Sequence, residues 1–310
     1  MIKAGIFGIQ AHTGKFIDLL KKNGAQVTVF WNDEIEKGEK AAAEYSIPFE
    51  KDCLKAMDDY GINAVIITAY AYLHCRLICE AAKRGLHIFL EKPLCVSSED
   101  AKIILKALNS SNGKFYMSDP FIRSQSIAMK HLKEEGRLGE ISSAYFRIGS
   151  MKNFDHFDLV KQQGGILSDI GLHGLHMIRY LFGKPSSFLV NAQDLTGHHA
   201  EDNVSIIFSY PSGCQVVYQA SWLSAGNTNR AVLYGTKGFV FAEASTETPG
   251  LSRFCYVDGE KGVMDYELPK EPMEHIDFFV KMINEDLDNE MVGIDEDSLQ
   301  IGRASCRERV

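Results

Sequence analysis

IKAGIFGIQAHTGKFIDLLKK, residues 2–22, decides between the possible folds. IKAGIF (2–7) is an apolar run of strand length, and a polar turn follows it. GKFIDLLKK (14–22) then repeats its apolar residues at the period of an amphipathic helix. Strand, tight turn and helix recur downstream. QVTVFW (26–31) reads as a strand and IEKGEKAAAEY (35–45) as a helix. NAVIIT (63–68) is a buried strand, followed by a helix over LHCRLICEAAKRG (73–85). HIFLE (87–91) is the next strand, SSEDAKIILKAL (97–108) the next helix, and KFYMS (114–118) closes the series. This alternation predicts an α/β fold, a doubly wound parallel sheet with helices on both faces.

Such a sheet binds its ligand at the carboxyl ends of its strands. The first of these turns is Gly8-Ile9-Gln10-Ala11-His12-Thr13-Gly14. A dinucleotide fingerprint, Gly-x-Gly-x-x-Gly, lets backbone amides approach a pyrophosphate at a helix N-terminus. Only Gly8 keeps that register; Gln10 and Thr13 occupy the second and third glycine positions. At the end of the second strand a carboxylate normally accepts from the ribose hydroxyls. Asn32-Asp33 stands there with no arginine beside it to hold a 2′-phosphate, so NAD is slightly favoured over NADP. A plain turn is the competing reading of both places.

From residue 140 onward the pattern changes. EISSAYFRI (140–148) alternates like a half-buried strand, and further strands are expected at 187–194, 203–209, 214–221, 229–235, 238–242 and 252–257. Turn signals lie at Pro211-Ser212-Gly213 and Thr236-Lys237-Gly238. Strands without interleaved helices predict an antiparallel sheet in a second, α+β domain. Ile206 and Phe208, with Val216, Tyr218 and Ala220, alternate to form an apolar face, either for pairing with another copy or for covering the domain's own helices. Between these strands, SDIGLHGLHMIRYLFG (168–183) reads as one amphipathic helix carrying Asp169, His173 and His176 on one side.

The 310 residues suit two domains, and a net charge of −8 argues against a nucleic-acid or anionic-membrane surface. No run is apolar for long enough to span a bilayer. The N-terminus lacks a signal-peptide layout, and seven cysteines with no repeated spacing fit free thiols, so a cytoplasmic location is expected. Cys75 and Cys79 read as packing residues of a helix.

Glu91-Lys92-Pro93, directly after the strand HIFL, resembles the Gfo/Idh/MocA family of glucose–fructose oxidoreductases and inositol dehydrogenases. The likeness continues through His74, MSDPFIR (117–123), EEGRLGEI (134–141), QGGILSDIGLHGLHMIRYLFG (163–183), EDNVSIIFSYPSGCQVVYQASW (201–222) and LYGTKGFV (233–240). It implies a Rossmann domain over 1–120 and a substrate-binding and oligomerisation domain over 121–302, its sheet open and mainly antiparallel. It also implies a cis Lys92–Pro93 bond and a homodimer or homotetramer. The activity implied is NAD(P)-dependent hydride transfer to or from a secondary alcohol of a sugar, cyclitol or related polyol. Its catalytic set would be Lys92, Asp169 and His173: His173 as the general base, Asp169 orienting the imidazole or a neighbouring hydroxyl, and Lys92 donating to the reacting oxygen. Gly8, Ile9, Gln10, Asn32, Asp33, Thr68, Ala69, His74 and Glu91 would contact the cofactor. Arg123, His156 and His176 would contact the substrate.

The sequence departs from the family at several places. His176 stands where many relatives have an aspartate, and Ala69-Tyr70-Ala71 replaces a usual Thr-Pro-Asn. Residues 303–310 (RASCRERV) lack an apolar stripe and suggest a truncation or foreign junction after about Gly302. Three other readings compete. One is a redox-neutral NAD-dependent glycosidase of the same family. Another is a regulatory protein that binds cofactor without turnover. The last is a metal-dependent enzyme using Asp169, His173 and His176 with His156, His198 and His199; the preferred reading has no metal.

Overall fold

A computed structural model describes residues 1–10, 12–118, 123–151, 164–245 and 252–287. The chain forms two compact units. The first runs from Met1 through the fifth strand and takes in the chain again from Met273; the second covers the stretch between.

In the first unit five strands, β1 (Lys3–Phe7), β2 (Gln26–Trp31), β3 (Ala64–Ile67), β4 (His87–Glu91) and β5 (Phe115–Ser118), form a sheet in the order β2-β1-β3-β4-β5. Every pairing is parallel. Helices α1 (Thr13–Lys22), α2 (Ile35–Tyr45), α3 (Cys53–Asp58), α4 (Ala71–Lys83) and α5 (Ser98–Asn109) lie between the strands. The central strands are buried on both faces, which is why AVII and IFL read as continuous apolar runs rather than alternating ones. Helix α4 begins at Ala71, two residues before the expected start, so His74 falls inside its first turn. The order reverses between β1 and β3, and that reversal is where a doubly wound sheet opens to a ligand.

The second unit holds α6 (Ser124–Glu134), β6 (Ile141–Met151), a π-helical turn (Leu167–Gly171), α7 (Leu172–Phe182) and strands β7 (Ser187–Gln193), β8 (Asn203–Ser209), β9 (Gln215–Ser221), β10 (Leu223–Gly235), β11 (Gly238–Ser245), β12 (Ser252–Asp258) and β13 (Gly262–Met264). The eight strands order as β13-β12-β11-β10-β6-β9-β8-β7. All pairs are antiparallel except β6–β9, which are parallel, so the sheet is mixed rather than wholly antiparallel.

Of the two readings of the apolar face the structure bears out the second, and the span of the second domain is corrected. Ile206, Phe208, Val216, Tyr218 and Ala220 do not supply an open face. All are at most 3% exposed, within the core that also takes Ile178 and Leu181 of α7 and Met129 and Leu132 of α6. The outward row is the other register: Leu189 pairs with Ile207, Ile207 with Val217, Val217 with Tyr145, Tyr145 with Val232, and Val232 with Phe241. Period-2 alternation gives two faces but does not say which turns inward.

The second domain also does not hold 121–302 as one piece. Helix α8 (His275–Asn284) buries Ile276, Phe279, Val280 and Met282 in the first unit's core, with Phe279 edge-on to Phe89 of β4. Lys15 of α1 pairs with Glu274 at 2.9 Å at the start of that helix. The segment 303–310 lies outside the described residues. Among the described residues, no helix is long and apolar enough to cross a membrane.

Candidate active site

At the switch point, the end of β1 meets the end of β3. Gly8 has φ +110°, and a Cβ there would lie 2.1 Å from the Ala69 amide nitrogen and 2.5 Å from the Thr68 carbonyl carbon. Only glycine fits both that conformation and that approach. Gly8 N donates to Trp31 O at 2.8 Å, and Thr68 Oγ1 donates to Gly8 O at 2.8 Å. Thr13, at the third glycine position, donates its hydroxyl to Thr68 Oγ1 at 3.0 Å and accepts from the Gln10 amide at 2.8 Å. The departure from the glycine fingerprint is thus made good by a threonine pair that ties the turn to β3. No acidic residue stands in the first turn of α1 and no side chain caps it, which leaves the positive end of the helix open to an anion. Ile9 packs, partly buried, against the first unit's core.

At the end of β2 the two polar residues separate. Asn32 is 4% exposed, and its amide donates to Glu34 O at 2.9 Å, closing the turn. Asp33 accepts from the Tyr72 hydroxyl at 2.6 Å through Oδ2, while its buried Oδ1 has no hydrogen-bond partner. Asp33 is therefore the carboxylate that can receive a ribose hydroxyl, and Asn32 shapes the turn. A close-approach glycine, an open helix end and an unpaired carboxylate oxygen together fit a dinucleotide.

His74, expected among the cofactor contacts, has another place. It is 1% exposed, with Nε2 3.0 Å from Ala69 O and Nδ1 2.7 Å from Pro93 O. Burial pushes the imidazole below its ordinary range, against the contacts with the Ala69 and Pro93 carbonyls, which raise it; the closer contact is at Nδ1. The ring links the end of β3 to the Glu91-Lys92-Pro93 turn, where the Lys92–Pro93 bond is cis. Glu91 and Lys92 are half-buried at the end of β4.

In the second unit Asp169 and His173 come together on the stretch that reads as one helix. That stretch is a π-turn carrying Asp169 followed by α7 carrying His173 and His176. Asp169 is 7% exposed, His173 is 4% exposed and His176 is half-buried. Trp222, 1% exposed, donates its indole N–H to Asp169 Oδ2 at 3.2 Å. Tyr218 of β9 donates its hydroxyl to Gly171 O at 2.5 Å, taking up a carbonyl at the junction of π-turn and α-helix. Gly174 lets that ring in: a Cβ there would lie 2.4 Å from Tyr218 Cε2. The sequence places Tyr218 on the apolar face of a strand and gives neither Tyr218 nor Trp222 a role beside Asp169 and His173. Two glycines spaced beside a histidine on a helix, Gly171 and Gly174, were the signal that something packs closely there.

Arg123 is exposed, immediately before α6. His156 lies outside the described residues. Among the described residues, no group of three or more His, Cys, Asp or Glu side chains is placed to hold a metal ion. His198 Nδ1 lies 2.8 Å from Thr196 Oγ1, in a loop organised by Asp194 and Asp202.

Residues 2–118 match the model of the oxidoreductase family with an NAD-binding Rossmann fold, and residues 127–241 match the GFO/IDH/MocA C-terminal domain. Inositol 2-dehydrogenase of Rhizobium meliloti is 29% identical over 62% of this chain and 60% of its own length. The chain thus spans less than two thirds of the length of the curated inositol dehydrogenases it matches. The 2,7-anhydro-N-acetylneuraminate hydratase of Escherichia coli is 26% identical over 82% of this chain and 70% of its own. Among solved structures, the aldose-aldose oxidoreductase from Caulobacter crescentus superposes with a TM-score of 0.83 at 19% identity, covering 99% of this chain and 97% of that one. That likeness shows the fold.

Proposed function

From the premise that this chain belongs to the GFO/IDH/MocA oxidoreductase family, we propose that it is an NAD(P)-dependent oxidoreductase acting on a secondary alcohol of a sugar, cyclitol or related polyol. One observation carries the reading: a buried carboxylate and a buried imidazole, Asp169 and His173, stand one turn apart with an indole N–H on the carboxylate. The nicotinamide, when bound, supplies the hydride acceptor. Gly8, the first turn of α1 and Asp33 hold the dinucleotide. His173 takes the hydroxyl proton as the C–H bond gives up its hydride, a task suited to an imidazole near neutral pH. Trp222 holds Asp169 through Oδ2, and Asp169 orients the imidazole or a neighbouring substrate hydroxyl. Lys92 donates to the reacting oxygen and stabilises negative charge that develops on it. Arg123, His156 and His176 contribute to substrate choice, and His176 offers a donor or a neutral acceptor in place of a carboxylate.

The test is a panel of inositols and aldoses with NAD and NADP, followed by nicotinamide absorbance, with Lys92→Ala and His173→Ala beside the wild type. Net reduced cofactor with at least one polyol, lost in both variants, supports the reading; no turnover with any of them removes it. The match to a hydratase over most of the chain favours a second reading, redox-neutral turnover on a sugar derivative. Its mark is product formation that needs bound NAD but yields no net NADH. A second copy would pair through the outward row Leu189, Ile207, Val217 and Tyr145, giving a homodimer or homotetramer. Light scattering on wild type and Ile207→Lys tests this, and an unchanged mass in the variant counts against that face. The working compartment in this reading is the cytoplasm.

A further inference from the structure

In a doubly wound sheet the residue at the end of the second strand meets the ribose; here that residue is Asp33, and a neighbouring element braces its side chain. Oδ1 is buried and unpaired, while Oδ2 accepts from the Tyr72 hydroxyl at 2.6 Å, across 39 residues of chain. A buried acceptor without a donor costs free energy until one arrives. A ribose with free 2′ and 3′ hydroxyls brings that donor, whereas a 2′-phosphate brings negative charge to a carboxylate. Tyr72 is braced in turn, its ring stacked on Tyr70 at 6.1 Å between centroids and 13° between planes. Lys37, the cation whose charge reaches Asp33, forms an ion pair with Glu34. No arginine occurs between Asn32 and Glu50 to welcome a phosphate.

We propose that Tyr72 is the positioning residue that holds Asp33 with Oδ1 presented to the ribose diol, making this chain selective for NAD over NADP. The inference rests on the cofactor reading above. Burial first, and then Asp33, push the Tyr72 phenol up to about 12, so it remains a donor through the neutral range. Without that hydroxyl, Asp33 loses the hydrogen bond that fixes its rotamer from α4. The carboxylate then spends part of its time turned away, and the penalty on a 2′-phosphate falls with it. If the bond only pinned the loop after β2, both cofactors would lose affinity together.

The experiment is parallel titration of NADH and NADPH into the full chain, read by nicotinamide fluorescence, for wild type, Tyr72→Phe, Asp33→Ala and the double variant. Phenylalanine keeps the ring and its stack on Tyr70. The expected result is NADH bound at least about 100-fold tighter than NADPH by wild type, as for charge-based discrimination worth two powers of ten. Tyr72→Phe should narrow that ratio about tenfold, through NADH affinity alone or with a gain for NADPH. Asp33→Ala should level the two cofactors, and Tyr72→Phe should then add nothing. Equal losses for both cofactors, or full additivity in the double variant, overturn the proposal and leave the dehydrogenase reading standing. Tighter binding of NADPH by wild type also overturns it. Binding of neither cofactor overturns both.

Discussion

In the first unit the candidate residues sit at the carboxyl ends of parallel strands, and contacts made on the strand-end backbone hold the turns: Gly8 against Ala69, Thr68 on Gly8 O, His74 between two carbonyls. In the second unit they sit on one helix, and side chains arriving from the sheet hold them: Trp222 on Asp169 and Tyr218 on Gly171. A parallel sheet fixes strand ends through its own ladder, so a turn of the right length is enough. A helix fixes only its own axis, and its rotation and depth are set by whatever packs beneath it. The first site should therefore be vulnerable to backbone changes, and the second to changes in buried aromatic residues and the glycines that admit them.

Several substitutions sharpen that contrast, in falling order of effect. His173→Ala should lower kcat by about 10²–10⁴-fold, the usual worth of a general base, while NADH affinity is unchanged. Steady-state kinetics with direct cofactor titration checks both halves, and loss of NADH binding would break the separation between units. Gly8→Ala should cost about 3 kcal/mol or more, because its methyl meets backbone atoms that cannot rotate away. Calorimetry should show a lower transition, and NADH binding should be lost. Gly174→Ala should cost about 1–3 kcal/mol, less than Gly8→Ala, because a side-chain ring has room to tilt. It should lower kcat without touching cofactor affinity. Trp222→Phe keeps most of the volume and removes the donor to Asp169. A loss of about 1–2 kcal/mol in transition-state stabilisation, measured as kcat/KM, is expected.

The smallest effect is on pH. Burial lowers His74 and His87 below the ordinary imidazole range, with the Lys114 charge a further cause at His87. The unfolded chain then takes up protons near pH 6.5 that the folded first unit refuses. Stability should be full above that value and fall as the pH drops through it and below. Denaturant midpoints between pH 8 and pH 5 measure the slope, and His74→Gln, which does not titrate, should flatten it. An unchanged slope in that variant would mean His74 is charged in the fold.

The first unit was largely legible in the sequence because each of its strands and helices announces itself by its own periodicity. The Asp169/His173 spacing could be read in the same way, whereas Glu91-Lys92-Pro93 was legible only through its resemblance to a family motif. The sequence left two readings open where two registers compete. Ile206 and Ile207 are one residue apart and both apolar; the first faces the core and the second faces outward. It also left open how Asn32 and Asp33 divide their work, neighbours of similar shape, of which Asp33 keeps a buried oxygen without a partner.

Sequence by itself determined the element order, the turn that needs Gly8, and the pairing of a carboxylate with an imidazole on one helical stretch. Each is local: a few consecutive residues specify it through φ/ψ preference, period or volume. Only the tertiary structure decided that Tyr72 braces Asp33 across 39 residues, that Trp222 reaches Asp169 across 53, and that Tyr218 reaches Gly171 across 47. Those contacts depend on how distant segments pack once the loops between them have closed. That packing is a property of the whole core rather than of any stretch that could be quoted.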